Sequence, residues 1–501
     1  MLSINNAKAM VLRILCLILC VAVVVSTFVA CDNTNDGDDT SADSTETSSV
    51  SNSTETETTD PAQVALDAIT DKDVDWGGKE FTILYSGYNG DNFQELQSEG
   101  QTGEILSNKV FERNEKFQDK CNLKLNYIKA SDKDDAHFKA QREAQDGIGE
   151  IQYFTIDHGT TAGLAIEGLL YNFLDMGIDL ETEWWDQGTY SFNLYGNVFF
   201  MNGSWNFSDD RSTWCMLFNK KAYNDVHSTV DPYQIVLDGE WTLDKFHELI
   251  SNFSSDNGDG SWDDQDNYGF IATPHYSNAL FFGSGLRYTN LANGEDPTLA
   301  LSDDKGMMDK ASALVDKVLN IYGTDHSTYR ASAFQTSYSM FKNNQGLFYG
   351  ETVSYVINLN AEYEGQFGVL PVPKYDVEQK DYLTYTGDYS STLSIPSNTK
   401  DGLKIGAITQ VFAIMSHQLT FPAFYDVVLT SKSVKDPQSV EMLNIIFRHR
   451  VYDISNYFVD FGLKGMFEKS AEGGNNNFSR DYAKIKSSFN RNVSKLFKKI
   501  K

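Results

Sequence analysis

Between Lys79 and Asp157 the chain switches repeatedly between two hydrophobic periods, and this alternation limits the fold more than any other feature. Lys79-Glu-Phe-Thr-Ile-Leu-Tyr85 is a short apolar run of strand type, broken by Ser86-Gly87-Tyr88-Asn89-Gly90. Residues 104–119 set Ile105, Val110, Phe111 and Phe117 among polar neighbours, the spacing of a helix with one buried face. From Cys121 to Ile128 apolar and polar residues alternate through Leu123, Leu125 and Tyr127, as in a half-buried strand. A second helix is expected near 136–146, and Ile151-Gln-Tyr-Phe-Thr-Ile156 reads as a third strand that ends at Asp157-His158. Strand, helix, strand, helix, strand predicts a parallel sheet within α/β layers. Ligands of such sheets lie at the carboxyl ends of the strands. Tyr85 to Tyr88, and separately Asp157 and His158, are therefore expected at one crevice.

The chain has 501 residues, enough for two to four compact units. Hydrophobic residues make up 41%, which supplies a core for most of that length. The formal net charge of −29 excludes a nucleic-acid partner, because phosphate binding needs a basic face. The sequence has no HExxH, GxSxG, P-loop or GxGxxG motif. Paired carboxylates for glycoside hydrolysis stay open, since 70 acidic residues supply many chance pairs. Cys121 and Cys215, far apart in sequence, are expected as buried free thiols, with a disulfide, which an extracytoplasmic compartment permits, as the other reading; no Cys/His group has zinc spacing.

The first thirty residues have the layout of a secretory signal. Lys8 and Arg13 precede an apolar run from Ile14 to Val25, and Phe28-Val29-Ala30 leads to Cys31. The Ala-Cys ending resembles a bacterial lipobox, with Phe28 where Leu is usual, and implies that Cys31 carries the lipid. An uncleaved transmembrane anchor is the other reading, but the run is short for a span of about 20 residues. Residues 31–62 are acidic, rich in Ser and Thr and nearly free of apolar groups, so they read as a disordered tether. The folded body is expected from about Trp76 onward.

Further along, the residues resemble a family. Gly103-Glu104 with Val110-Phe111-Glu112-Arg113-Asn114-Glu115, then Gly168-Leu169-Leu170 to Trp184-Trp185-Asp186-Gln187, are the first blocks. Leu217-Phe218-Asn219-Lys220 and Asp238-Gly239-Glu240-Trp241-Thr242-Leu243-Asp244 follow. Phe367-Gly368-Val369-Leu370-Pro371-Val372-Pro373-Lys374-Tyr375-Asp376 and Lys435-Asp436-Pro437-Gln438-Ser439 complete the set. In order and spacing they resemble the extracellular solute-binding proteins of ABC importers, sugar type, related to maltose-binding protein.

That resemblance implies an α/β, two-lobed periplasmic-binding-protein-like (type II) fold with a hinge and an interlobe cleft. By analogy lobe 1 takes residues 76–200 and 367–420, and lobe 2 takes 201–366 and 421–501. It further implies a monomeric, non-enzymatic lipoprotein on the outer face of the cell membrane, which hands a sugar or oligosaccharide to permease subunits. An extracellular carbohydrate-active enzyme and a solute-sensing receptor are the alternatives.

Sugars offer apolar faces to aromatic rings and hydroxyls to polar side chains. On that basis the candidate ligand contacts are Tyr85, Tyr88, Asp157, His158, Trp205, Arg211, Tyr276, Glu351, Asp388 and Tyr389. Trp241 and Thr242 read as a helix start with a core ring, and Ser439 reads as structural. No cofactor is required. The stretch 255–266 resembles a calcium loop, with Asn257, Asp259, Ser261, Asp263 and Asp266 at ligand positions and Ser255 where an Asp is expected. Any calcium there would be a structural staple. Finally, Tyr482, Ile485, Phe489, Val493, Leu496 and Ile500 fall on one face of a basic C-terminal helix, expected to pack on lobe 2.

Overall fold

The computed structural model describes residues 60–500, apart from 87–94, 101–102, 148, 293, 303, 364, 388–389, 426–435 and 459–460. The signal, Cys31, residues 31–59 of the tether, Tyr88, Asp388 and Tyr389 lie outside the described residues. The expected tether end at 62 and body start near Trp76 need correction: Asp60 caps the helix Pro61–Ala68, the helix Asp71–Val74 follows, and Ala62 and Val74 are buried in the core of the first sheet, an apolar contribution that the acidic composition around them hides. Among the described residues no helix is long and apolar enough to cross a membrane.

The alternating segment folds as its periods predict. Strands β1 (Lys79–Tyr85), β2 (Leu123–Lys129) and β3 (Tyr153–Asp157) run parallel, with β1 between the other two. The helices Ile105–Cys121 and Lys133–Asp146 connect them. Asn122 ends the first of these helices in the left-handed conformation at φ 45°, which an Asn tolerates better than most residues. The short β4 (Phe200–Met201) then leads out of this sheet.

Beyond it the chain builds a second sheet from β5 (Trp214–Asn219) and β6 (Tyr268–Ala272). A two-stranded excursion, β7 (Thr289–Asn290) and β8 (Thr298–Leu299), separates these from β9 (Thr328–Arg330), β10 (Gly346–Thr352) and β11 (Phe367–Leu370). The order is β11-β5-β10-β6-β9, with β5 antiparallel to both of its neighbours. Then β12 (Thr384–Tyr385) precedes β13 (Ser391–Ser394), which re-enters the first sheet between β3 and β4. Near the end β14 (Arg450–Val451) pairs with β12.

One lobe boundary therefore needs correction. Residues 367–370 were expected in lobe 1, but they hydrogen-bond along β5, in register from Phe367 with Asn219 to Leu370 with Met216. The first sheet is rejoined only at Ser391. The apolar run Phe367–Leu370 suits either sheet on pattern alone, and the long-range pairing decides its place.

Each sheet is covered on both faces. In the first, Phe81 and Tyr153 meet Phe117 and Phe412, the latter from the long helix Gly402–Pro422. On the opposite face Leu84, Phe154 and Ile156 pack with Ala136, Ala140 and Leu164. In the second sheet Phe218, Phe270 and Phe348 face Trp241 and Phe246, while Leu217, Ile271 and Tyr349 face Phe341 and Ile446. These strand positions alternate in steps of two, as the pleat requires. Thr242 N-caps the helix Leu243–Ile250 by accepting from Lys245 N, as expected. Ser439 is buried, 2.7 Å from the Tyr233 hydroxyl, and accepts from Val369 N. The C-terminal helix Phe478–Leu496 buries Tyr482, Phe489 and Val493, and Lys486 Nζ donates to Ser302 O. Cys121 and Cys215 are buried free thiols.

Trp241 fastens the second core. It has no exposed surface, rests 5.6 Å from Phe246 and 5.7 Å from Phe348, and donates from Nε1 to Pro371 O at 2.8 Å. Trp241→Ala is expected to lower unfolding stability by about 3–5 kcal/mol, measured by urea denaturation; a loss below about 1 kcal/mol would show that the ring is not a keystone.

Candidate ligand-binding cleft

The carboxyl ends of β3 and β10 meet two crossing segments, residues 202–213 and, among the described residues, 386–387 with 390: His158 N donates to Ser390 O and Val353 N donates to Thr213 O. These crossings are joined to each other. Thr213 bridges Thr386 in antiparallel fashion, and Gly387 N donates to Ser212 O at 2.8 Å. A Cβ on Gly387 would lie 3.2 Å from Ser212 O and from Trp214 Nε1, so the close approach favours glycine.

Polar side chains hold the crossings to the first sheet. Asn206 Nδ2 donates to Ser391 O at 2.6 Å, and Ser208 Oγ accepts from Ser391 N at 2.9 Å. His158 N donates to Ser390 O, and its Nδ1 lies 3.2 Å from Ser390 Oγ. The His158 ring lies 4.7 Å from the Tyr457 ring. Asp157 is buried and N-caps the helix His158–Glu167, accepting from Thr160 N and Thr160 Oγ1, with Lys133 Nζ 3.4 Å away. Its position at the crevice agrees with the sequence, but its oxygens are already engaged.

A cluster of ions forms around Arg450. Nη1 is 2.8 Å from Asp210 Oδ1 and 3.5 Å from Asp209 Oδ2, and Nη2 is 3.2 Å from Asp186 Oδ2. The Tyr452 hydroxyl donates to the same Asp186 oxygen at 2.8 Å. Burial pushes Asp210 up to about 6 against the pull of Arg450, and burial together with Asp210 holds Asp209 well above the usual carboxylate range. Glu95 is also buried, with Arg211 and Arg113 nearby, and burial raises it to about 8.

Glu351 approaches from the second sheet. It is buried, its Oε1 accepts from Thr352 N at 2.8 Å, and Tyr349 OH donates to Oε2 at 3.3 Å. Burial raises it to about 8.

Several buried polar atoms here have no partner among the described residues: Glu95 Oε1, Asp209 Oδ1, Trp214 Nε1 and Thr386 Oγ1. An unpaired buried polar group costs about 1–3 kcal/mol. Asp209 and Thr386 lie in the crossings and Trp214 directly follows the first, so a polar ligand there would supply missing partners.

Not every candidate residue belongs to this place. Trp205 is a core ring, 1% exposed and 6.5 Å from Phe412. Tyr276 has no exposed surface; it packs on Trp214 and Phe270 and donates to Cys215 O. Gly350 makes room for it, since a Cβ there would lie 2.5 Å from the Tyr276 ring. An aromatic residue at a strand end serves a core as readily as a cleft, and the sequence does not separate the two. Tyr85 is half-buried, its ring 6.5 Å from that of Tyr127. Arg211 is half-buried in the first crossing, within electrostatic reach of Glu95.

Asp186, Asp209, Asp210 and Arg450 were not among the sequence candidates. The adjacent acids Asp209-Asp210 in a crossing were a usable signal. Arg450 was not recoverable, because it meets Asp210 across 240 residues of sequence.

In the acidic loop, Asp266 is turned inward, where it accepts from Asn257 N and Asp263 N, both at 2.8 Å. Asp256 accepts from Gly258, Asp259 and Gly260 N. Among the described residues no three acid, His or Cys side chains converge on a point suited to a metal ion. A calcium ion in this loop would compete with those amides for Asp266.

No family model and no curated protein matches the sequence. Solved structures do. The maltose/maltodextrin-binding domain MalE of Bdellovibrio bacteriovorus, bound to maltotriose, matches with a TM-score of 0.53 and 15% identity, over 82% of this chain and 100% of that one. The cyclic α-maltosyl-1,6-maltose binding protein of Arthrobacter globiformis matches at 0.57 and 11%, over 84% and 99%. UgpB of Mycobacterium tuberculosis, in complex with glycerophosphocholine, matches at 0.54 and 15%, over 84% and 98%. The chain has the two-lobed periplasmic-binding-protein fold. The expected fold class is thus borne out.

Glu351 gives the cleft a pH signature. Its folded-state pKa, about 8, lies above the ordinary glutamate value of 4.5. Its contribution to stability is therefore complete below about pH 4.5 and disappears as the pH rises through 8, by at most about 1.4 kcal/mol per unit. Gln keeps the acceptor for Thr352 N and carries no proton to lose. Glu351→Gln is expected to gain melting temperature relative to wild type from pH 5 to pH 8; a constant difference across that range would refute the assignment.

Proposed function

We infer that this chain is an extracytoplasmic solute-binding lipoprotein that holds a sugar or oligosaccharide in its interlobe cleft and delivers it to an ABC permease. The observation that carries this reading is the gathering of unpaired buried donors and acceptors at the two crossings. A polyhydroxylated solute both donates and accepts at each hydroxyl, so it can satisfy carboxyl, indole and hydroxyl groups together. The neighbouring structures favour the same class: one holds maltotriose, and another is named for a cyclic maltosyl-maltose. Because the ligand would touch both lobes, its contacts would supply the free energy that favours the closed arrangement. Lipid on Cys31 would keep the protein beside the permease, with residues 31–59 as the tether. The reading includes no catalytic step.

The deciding experiment is a thermal-shift screen of the full-length chain in detergent against mono- and oligosaccharides, malto-oligosaccharides included. A ligand of the folded state adds about 2.7 kcal/mol at one hundred times its dissociation constant. A shift with one sugar class, with that sugar recovered unchanged, is expected. No shift with any sugar would remove the carbohydrate assignment, and a sugar recovered cleaved would favour the enzyme alternative. Separately, Cys31→Ser is expected to abolish incorporation of radiolabelled fatty acid in cells; undiminished labelling would rule out Cys31 as the lipid site.

A further inference from the structure

Beside the Arg450 cluster lies a cavity of about 240 Å3, bounded by Trp184 and Asp186, by the first crossing from Gly203 to Asp210, and by Phe421, Phe447 and Arg450. It has room for roughly eight water molecules. It shares Asp209 with the unpaired atoms near the crossings, whereas Asp157, His158, Tyr276 and Glu351 do not line it.

Acidic side chains outnumber basic ones in its lining. Asp186, Asp209 and Asp210 face it with side chains no more than 11% exposed, and Arg450 is the single basic residue among its lining side chains. Asp209 is 3% exposed, and its Oδ1 has no partner. Buried carboxylates are costly without matching positive charge.

The lining also holds the rings of Trp184, Phe421, Tyr425 and Phe447. With His417, which lies outside the lining, they form a row of rings with successive centroids 6.4, 6.2, 6.1 and 5.9 Å apart. His417, Phe421 and Tyr425 recur every fourth residue along the end of the helix Gly402–Pro422 and just beyond it. At the end of the row the Arg450 guanidinium lies 5.8 Å from the Phe447 ring. Ring faces attract cations within about 6 Å, quaternary ammonium ions in particular.

We propose that this cavity binds a small alkylammonium cation, seated between the free oxygen of Asp209 and the rings of Phe421 and Phe447. Carboxylate on one side and ring faces on the other suit a soft organic cation. A hard metal ion needs several oxygens at one point, and the described acids do not provide that arrangement. A hydroxylated cation such as choline also offers an acceptor to Trp184 Nε1, which is buried without a partner.

The test is calorimetric titration of choline into the full-length chain in detergent at constant ionic strength, alongside 3,3-dimethylbutan-1-ol, which has the same shape without the charge. Saturable choline binding is expected, with the alcohol at least tenfold weaker. Asp209→Asn is expected to weaken choline at least tenfold, and so is Phe421→Ala, which removes a half-exposed ring and decides the matter if Asp209→Asn does not fold. Absence of saturable choline binding, equal binding of the neutral alcohol, or choline binding that survives Phe421→Ala would each overturn the proposal.

Discussion

The pairing of the two crossing segments is the constraint on which the rest of the molecule depends. Each sheet is completed by a strand that arrives from the other: β5 leaves the first sheet to enter the second, and β13 makes the return. Thr213 against Thr386, and Gly387 N on Ser212 O, bind these two passages into one narrow joint. With the joint fixed, the carboxyl ends of β3 and β10 meet at the crossings. That joint brings Glu95 within electrostatic reach of Asp209, although 114 residues of sequence separate them. A joint of this kind also concentrates backbone polarity where large apolar side chains are few, so polar groups near it depend on one another or on a ligand for partners.

Much of this fold was legible in the sequence, because local period and local capping express it. The switch from period two to period 3.6 between Lys79 and Asp157 locates three strands and two helices within a few residues. Trp241-Thr242 announces a helix start, and the structure supplies the cap and the buried ring that such a pair suggests. Phe367–Leu370 was misplaced, since its apolar run fits any buried strand and only its partner identifies the sheet.

The site was legible only in part, for the same physical reason. Asp157, His158 and Glu351 sit at strand ends, a position that a sequence can mark. Trp205 and Tyr276 carry the same mark and are core rings, because burial depends on what packs opposite. Arg450 had no local signal at all; its meaning arises from Asp186, Asp209 and Asp210, contributed by distant parts of the chain. Charge clusters assembled by topology stay hidden until the topology is known.

The acidity of the chain and the chemistry of its cleft are distinct matters. A formal charge of −29 describes a solvated surface. At the crossings, burial raises Glu95 and Glu351 to about 8, so near neutral pH both are mainly protonated. A protonated carboxyl is at once a donor and an acceptor, the dual character that a hydroxyl-rich solute requires. Asp209 and Asp210 lie closer to Arg450, whose positive charge opposes the upward push of burial on both. The two glutamates and the two aspartates thus differ in their surroundings: Arg450 pairs directly with Asp209 and Asp210, whereas Glu95 feels Arg211 and Arg113 and is raised by burial all the same.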